Sequence, residues 1–181
     1  TRQINLETDM EGRSSNFDKG SVNKDSAVQM GKDTMSSIFR FNDGLYPNGK
    51  QNVKLGYYIG NKLFETENQN EAQVALVDFY RSIEEYPILG PDPSKGLMRM
   101  IVGAKFKQPS PLSNPYLEAY YWEIDTQTEA MYPIISVQEA WKMVNEGKAV
   151  ITQVTPRQSN PFEPYYPVSV DKVLIDNIYL A

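Results

Sequence analysis

The sequence predicts an α+β fold in which an antiparallel β-sheet, or more than one, carries two main helices packed on one face. Strand-like segments are joined by loops and tight turns rather than by regular crossover helices, which is typical of antiparallel pairing. One helical stripe precedes these segments and another follows part of them, so the chain can also be read as two similar helix-plus-strands units. At 181 residues, the chain is long enough to bury a core without disulfide bonds.

The N-terminal part predicts an arm followed by a helix. Residues 1–20 are polar and show no sustained period, so we expect a flexible arm. A helix is expected over residues 23–40, with Ser21 or Asn23 as its cap. Its apolar stripe at helical spacing consists of Ala27, Val28, Gly31, Met35, Ile38 and Phe39.

The middle of the chain predicts strands. Residues 53–66 are aromatic and aliphatic, and indicate a strand or a hairpin that turns near Gly60 and Asn61. Residues 72–82 form a nearly continuous apolar run, which favours a central strand covered on both faces. Residues 86–96 contain three prolines and are therefore expected to form a loop.

Two further strands are expected before the second helical segment. Every second residue of the segment 97–107 is apolar, and residues 116–125 form another aromatic strand that ends in a tight turn. Alternation along this second strand places Tyr120 and Trp122 on one face. Its opposite face carries Leu117, Ala119 and Tyr121.

The stretch MYPIISVQEAWKMVNEGKAVI, residues 131–151, predicts a short strand, a capped helix and a second strand. Ser136 and Glu139 fit a capping box, and Gly147 stands where a left-handed residue commonly ends a helix. A helix of about ten residues depends on tertiary packing, so we expect Trp141 to be largely buried against the sheet. The apolar stripe of this helix consists of Val137, Ala140, Trp141 and Val144.

The C-terminal part predicts a strand, a proline-rich loop over residues 156–167 and a long terminal strand. Residues 21–181 are expected to form one α+β domain, with a division into sub-units 21–125 and 130–181 as the alternative. A terminal strand at a sheet edge can receive a strand from another chain. Self-association or partner binding is therefore expected to use this strand or the loop before it.

The composition excludes several kinds of chemistry within this sequence. It contains no histidine and no cysteine, which removes the commonest general base, the thiolate nucleophile and the usual zinc ligands. The net charge of -5 and the lack of a basic cluster argue against nucleic-acid binding. No apolar run is long enough to span a bilayer. Because the chain begins at Thr1, we expect a fragment whose membrane anchor, if one exists, lies outside it.

Two sets of side chains are candidates for a site. Surface aromatics commonly bind sugars or peptides, and the candidate recognition surface consists of Tyr120, Trp122, Tyr165 and Tyr166. Paired carboxylates can serve glycoside hydrolysis or Ca²⁺ binding, but the spacing here enforces neither. No catalytic, cofactor-binding or metal-binding residue is therefore assigned. The acidic candidates are Glu84, Glu85, Asp92, Glu123, Asp125 and Glu129.

Four stretches carry a resemblance to known proteins: the segment 131–151 quoted above, VKLGYYIGNKLFET, AQVALVDFYR and EEYPILGPDPSKGLMRMIVG. Together they resemble an uncharacterised group of bacterial extracytoplasmic, membrane-anchored proteins, and they are distantly similar to extracytoplasmic domains of the YycI and PepSY type. The resemblance covers about residues 22–181. It implies regulation or binding at the cell envelope without catalysis, and it supplies no site residues.

We therefore expect a non-catalytic extracytoplasmic domain that acts through protein contacts and needs no cofactor. The first alternative is a module that binds cell-wall glycan or peptide through surface aromatics. The second is a carboxylate-dependent hydrolase. An exposed sheet edge or apolar patch would favour the interaction domain. An aromatic groove would favour the glycan- or peptide-binding module. Two carboxylates facing each other in a cleft would favour the hydrolase.

Overall fold

The computed structural model describes residues 2–7, 17–38, 46, 50–60, 62–103, 116–125, 127–128, 130–131 and 133–150. Its elements in chain order are β1 (Arg2–Glu7), α1 (Lys24–Ile38), β2 (Gln51–Ile59), β3 (Lys62–Thr66), β4 (Val74–Phe79), β5 (Arg81–Ile83), β6 (Tyr86–Ile88), β7 (Met98–Val102), β8 (Tyr116–Tyr121) and α2 (Val137–Asn145).

The main sheet has six strands in the order β1-β8-β7-β4-β2-β3, and every neighbouring pair is antiparallel. A separate two-stranded ribbon is formed by β5 and β6. Helices and an antiparallel sheet together confirm the predicted α+β class. The β2–β3 hairpin turns at Gly60, which has a left-handed φ of 59°, where the sequence places the pivot.

The central position of β4 explains its composition. All six residues from Val74 to Phe79 are buried, because β2 and β7 flank the strand and both of its faces are covered. This confirms a central strand within residues 72–82, but the strand ends at Phe79, and Arg81–Ile83 belongs to the separate ribbon. The alternation expected in the next strand is also confirmed, since Met98, Met100 and Val102 of β7 are buried.

α1 covers one face of this sheet and contacts β2, β4 and β7. Asn23 caps it: the Asn23 Oδ1 atom accepts from the Ser26 amide at 2.8 Å, and the Ser26 Oγ atom accepts from the Asn23 amide at 3.0 Å. Of the predicted stripe, Ala27, Gly31 and Met35 are buried. The core beneath the helix includes Leu55, Ala75, Val77, Phe79, Met98, Met100, Val102, Leu117 and Ala119.

Two segments differ from the sequence-based expectation. Residues 1–20 do not form only an arm, because Arg2–Glu7 is a strand that pairs antiparallel with β8. Its polar and apolar residues alternate from Gln3 to Leu6, but the run is too short to stand out among polar neighbours. The segment 86–96 is not only a loop, since β6 lies within it. Pro87 is tolerated there because a two-stranded ribbon leaves one side of each strand without a ladder.

The chain divides into two compact units after Trp122, and the described residues of the second unit begin at Glu123. In this unit Ser136 caps α2 as predicted, with its Oγ atom accepting from the Glu139 amide at 3.2 Å, and Gly147 has a left-handed φ of 69°. The prediction that Trp141 is largely buried is wrong: its side chain is 47% exposed. Capping specifies where a helix begins, but it does not specify what the apolar stripe contacts.

The remaining expectations concern segments near the chain end. Residues 133–136 and 148–150 are described and are not in strands, contrary to the short strands expected there. The rest of the strand expected after α2, over residues 151–155, lies outside the described residues, as do the proline-rich loop 156–167 and the terminal strand 168–181.

Candidate functional site

The structure separates the members of the candidate recognition surface. Tyr120 lies in β8, whereas Trp122 follows the end of that strand. Strict alternation therefore does not apply at Trp122, and the expectation that it shares a face with Tyr120 stays a prediction. Tyr165 and Tyr166 lie outside the described residues.

Trp122 belongs to a cluster around the buried side chain of Arg81. The Arg81 guanidinium lies 5.4 Å from the ring centroid of Tyr121, 5.7 Å from that of Tyr46 and 6.0 Å from that of Trp122. It also donates to the carbonyl oxygen of Trp122 at 3.1 Å. Cation–π contacts are strongest where water is excluded, and Arg81 is only 2% exposed. Trp122 therefore stabilises the end of the sheet through Arg81.

Tyr120 belongs to a different surface, on the face of the sheet opposite α1. Asp78 pairs with Arg99 across β4 and β7, and Arg99 pairs with Glu118 across β7 and β8. Directly opposed residues point to the same face, so the three charges form a row across three strands. Three half-buried tyrosines flank this row. We call the six residues the tyrosine face: Asp78, Arg99, Glu118, Tyr80, Tyr116 and Tyr120.

Asp78 anchors one end of the tyrosine face. Its side chain is buried, and its two oxygens each accept from Arg99 at 2.8 Å, one from Nε and one from a terminal nitrogen. The Gly96 amide donates to the same carboxylate at 2.9 Å. Burial lowers the pKa of Arg99, but the hydrogen bonds and charge of Asp78 outweigh this effect and raise the pKa above its usual value. Arg99 therefore stays charged, and its two hydrogen bonds to Asp78 hold the start of β7 against β4.

Glu118 anchors the other end. The hydroxyl of Tyr120 donates to its Oε1 atom at 2.7 Å, and that of Tyr116 donates to its Oε2 atom at 2.8 Å. Lys95 lies 3.8 Å from Oε2. Burial raises the pKa of Glu118. The hydrogen bonds from Tyr120 and Tyr116 and the charges of Lys95 and Arg99 lower it by more, so the pKa lies below its usual value.

The tyrosines are neutral and tethered. The hydrogen bond to Glu118, followed by burial, raises the pKa of Tyr120 to about 12. Burial, with the charge of Asp78 next, raises the pKa of Tyr80 to about 12, and the Tyr80 hydroxyl donates to the Ser94 carbonyl oxygen at 3.3 Å. Burial is also the main cause of the raised pKa of Tyr116. These shifts all move the tyrosine pKa values away from pH 7, whereas the pKa of a general acid or base usually lies near the working pH.

The acidic candidates occupy local structures of their own. Asp92 lies 3.4 Å from Lys95, and Asp125 accepts from the Gln127 amide at 2.9 Å and from the Thr128 hydroxyl at 2.6 Å. Glu84 and Glu85 lie in the turn between β5 and β6, and Glu129 is not among the described residues. Within the described ranges, no group of three or more carboxylates is placed to hold a metal ion.

A second candidate surface lies on α2. No residue of this helix is buried, and Val137, Trp141 and Val144 are 60%, 47% and 36% exposed. We call these three residues the α2 stripe. The two residues before the helix cap, Ile134 and Ile135, are also exposed, at 70% and 57%. Exposed apolar residues that are contiguous rather than scattered commonly mark an interaction site.

The charged residues of the tyrosine face were missed at the level of sequence, although a signal was present. Asp78 interrupts the apolar run VALVDF, and Arg99 interrupts the apolar run LMRMIVG. A charge in a strand expected to be buried on both faces requires a partner. The sequence therefore indicated that each of these charges needs a partner, but it did not indicate which residue the partner is.

Fold and surfaces together define an α+β domain with one sheet face covered by a helix and an opposite face lined by tyrosines. Comparison with protein families, with curated proteins and with solved structures finds no significant match to this chain. None of the helices in the described ranges has the length and apolar content required to cross a membrane.

Proposed function

We propose that this chain is a non-catalytic interaction domain that acts through protein contacts, and that the α2 stripe is its contact surface. The observation that carries the proposal is the exposure of Val137, Trp141 and Val144 on a well-capped helix. Trp141 is the side chain expected to contribute most, because tryptophan is enriched among residues that dominate interface energies.

The spacing of the α2 stripe supports a specific mode of binding. Its residues stand at positions i, i+4 and i+7, which is the pattern by which an amphipathic helix inserts into an apolar groove. The Ser136 cap and the ion pair between Lys142 and Glu146, at 3.9 Å, support the helix before it meets a partner. A helix that is already formed loses less conformational entropy on binding than a disordered segment does. The partner we propose is therefore a protein with an apolar groove.

The resemblance to bacterial extracytoplasmic proteins supports a location at the cell envelope. In this proposal the chain lies outside the cytoplasm, a membrane anchor lies outside the chain, and the bound protein is an envelope component. A second copy of the chain is the alternative partner. Nucleic acid is not proposed, because the chain carries a net charge of -5.

Site-specific crosslinking tests the contact surface. A photoreactive residue at Val144 is expected to form an adduct with one protein, whereas the same residue at Lys142, on the opposite side of the helix, is expected to form none. With that protein purified, Trp141→Ala should weaken binding by about tenfold or more. Lys142→Ala should change the affinity by less than about twofold.

Two results would contradict this assignment. One is equal crosslinking from both positions. The other is unchanged affinity after Trp141→Ala. If the adduct is a second copy of the chain, sedimentation of the wild type should depend on concentration, and Trp141→Ala should shift the distribution toward monomer.

A further inference from the structure

We propose that the tyrosine face is a second binding site, formed by residues other than the α2 stripe, and that its ligand is a neutral glycan chain. Tyr80, Tyr116 and Tyr120 lie half-buried on one face of the sheet, on either side of the row formed by Asp78, Arg99 and Glu118. This glycan site is separate from the protein-binding surface proposed on α2 and does not depend on it.

The three rings are held in place by hydrogen bonds from their hydroxyl groups. Each of the three hydroxyls has a fixed acceptor: Glu118 for Tyr116 and Tyr120, and the Ser94 carbonyl oxygen for Tyr80. A ring held by its hydroxyl loses little rotational freedom when a ligand stacks on it, so less of the interaction energy is offset by ordering. Sugar rings can stack their C–H faces on aromatic rings held in this way.

The charges of the face select against a charged ligand. Asp78 is neutralised by Arg99, and Lys95 lies within 3.8 Å of both Glu118 and Asp92. Three carboxylates and two cationic side chains are present, so the group carries one net negative charge. An anionic ligand therefore meets no excess of positive charge. A cation would have to displace Arg99 or Lys95 from its carboxylate. A neutral ligand that is rich in hydroxyl groups avoids both costs.

The row also offers hydrogen bonds of the kind that sugars use. Arg99 donates to Asp78 through Nε and one terminal nitrogen, and its other terminal nitrogen is a further hydrogen-bond donor. A carboxylate such as Glu118 has lone pairs beyond the two that accept from Tyr116 and Tyr120. Hydroxyl groups can both donate and accept, so one sugar can satisfy both side chains.

The dimensions suit a chain rather than a single sugar. Tyr80 follows β4, while Tyr116 and Tyr120 lie on β8, two strands away. Adjacent strands are about 4.8 Å apart, so the two groups of rings are separated by about 10 Å. This distance accommodates consecutive sugar rings of a linear oligosaccharide.

The test is a titration of the whole 181-residue chain with cellotetraose and chitotetraose, two neutral β-linked probes, followed by NMR shifts of tyrosine ring signals. Saturable binding of at least one probe is expected. Tyr120→Ala should weaken it by about tenfold or more, because truncating an aromatic anchor removes the stacked ring. Tyr120→Phe keeps the ring but loses its hydrogen bond to Glu118, so it should weaken binding less than Tyr120→Ala does.

Tyr86→Ala is the matched control, since Tyr86 is 66% exposed on the β5–β6 ribbon and lies outside the face. It should leave binding unchanged, as should Trp141→Ala, which separates this site from the α2 contact. Thermal midpoints of all variants establish that each is folded. The proposal is overturned if neither probe saturates, if Tyr120→Ala binds as well as wild type, or if a polyproline peptide binds the face and the sugars do not.

Discussion

α1 and α2 are both capped amphipathic helices, yet only α1 buries its stripe. α1 places Ala27, Gly31 and Met35 in the core, whereas no residue of α2 is buried and its Val137, Trp141 and Val144 side chains are each at least one-third exposed. The more clearly marked of the two in sequence is α2, which has a capping residue, a bulky stripe and a terminal glycine. Signals of helix formation and signals of helix burial are therefore different properties of a sequence.

The residue types on the two stripes explain part of this difference. Small residues on α1 allow its backbone to approach the sheet closely: a Cβ atom built on Gly31 would lie 2.5 Å from the Phe79 ring. Such contact is characteristic of a helix fitted to one surface. The α2 stripe consists of larger side chains, which suit insertion into a groove rather than close approach to a flat sheet.

The largest effect is expected from filling the space under α1. Gly31→Leu should destabilise the chain by about 3 kcal/mol, because the added atoms overlap Phe79 and Met100 and overpacking of a well-packed core is costly. Urea unfolding measures the change as a lower midpoint. The control is Ser36→Leu at an exposed position of the same helix, which should change stability little. Equal losses at the two positions would show that α1 is not fitted to the sheet.

A smaller effect is expected on α2. Trp141→Ala should cost about 1 kcal/mol or less, because surface substitutions seldom cost more and the side chain is 47% exposed. A buried aromatic would cost about 3–5 kcal/mol. The urea midpoint of the variant distinguishes the two cases. A loss in the larger range would remove the contrast between the helices and, with it, the basis for assigning α2 to partner binding.

The smallest effect is limited to acidic pH and concerns the tyrosine face. Because the folded pKa of Glu118 is lowered, its stabilising effect is fully present above the ordinary carboxyl pKa of about 4.3 and is lost as the pH falls through the folded value. Glu118→Gln should therefore flatten the acid limb of a stability–pH curve below about pH 4.5. Replacing the exposed Glu139 on α2 by Gln should leave that limb in place. An unchanged limb in Glu118→Gln would show that its tyrosine bonds do not stabilise the fold.

Much of the architecture follows from local sequence. The apolar run Val74–Phe79 predicted a strand covered on both faces, Gly60 predicted the hairpin turn, and Ser136 predicted the start of α2. β1 was not predicted, because so short an alternation in a polar segment becomes a strand only when it pairs with β8. β6 was not predicted for a similar reason, since β5 supplies its pairing.

By itself, the sequence determined the α+β class, the central strand and the cap of α2, and it left two candidates for the cap of α1. These features depend on interactions over a few residues or on composition alone. Only the tertiary structure decided that Asp78, Arg99 and Glu118 form one row, that Trp122 packs against Arg81, and that α2 leaves Trp141 exposed. The physical reason is that strand register and helix packing bring together residues that are far apart in the chain. A local pattern shows that a charge or an apolar stripe needs a partner, but it does not show which residue that partner is.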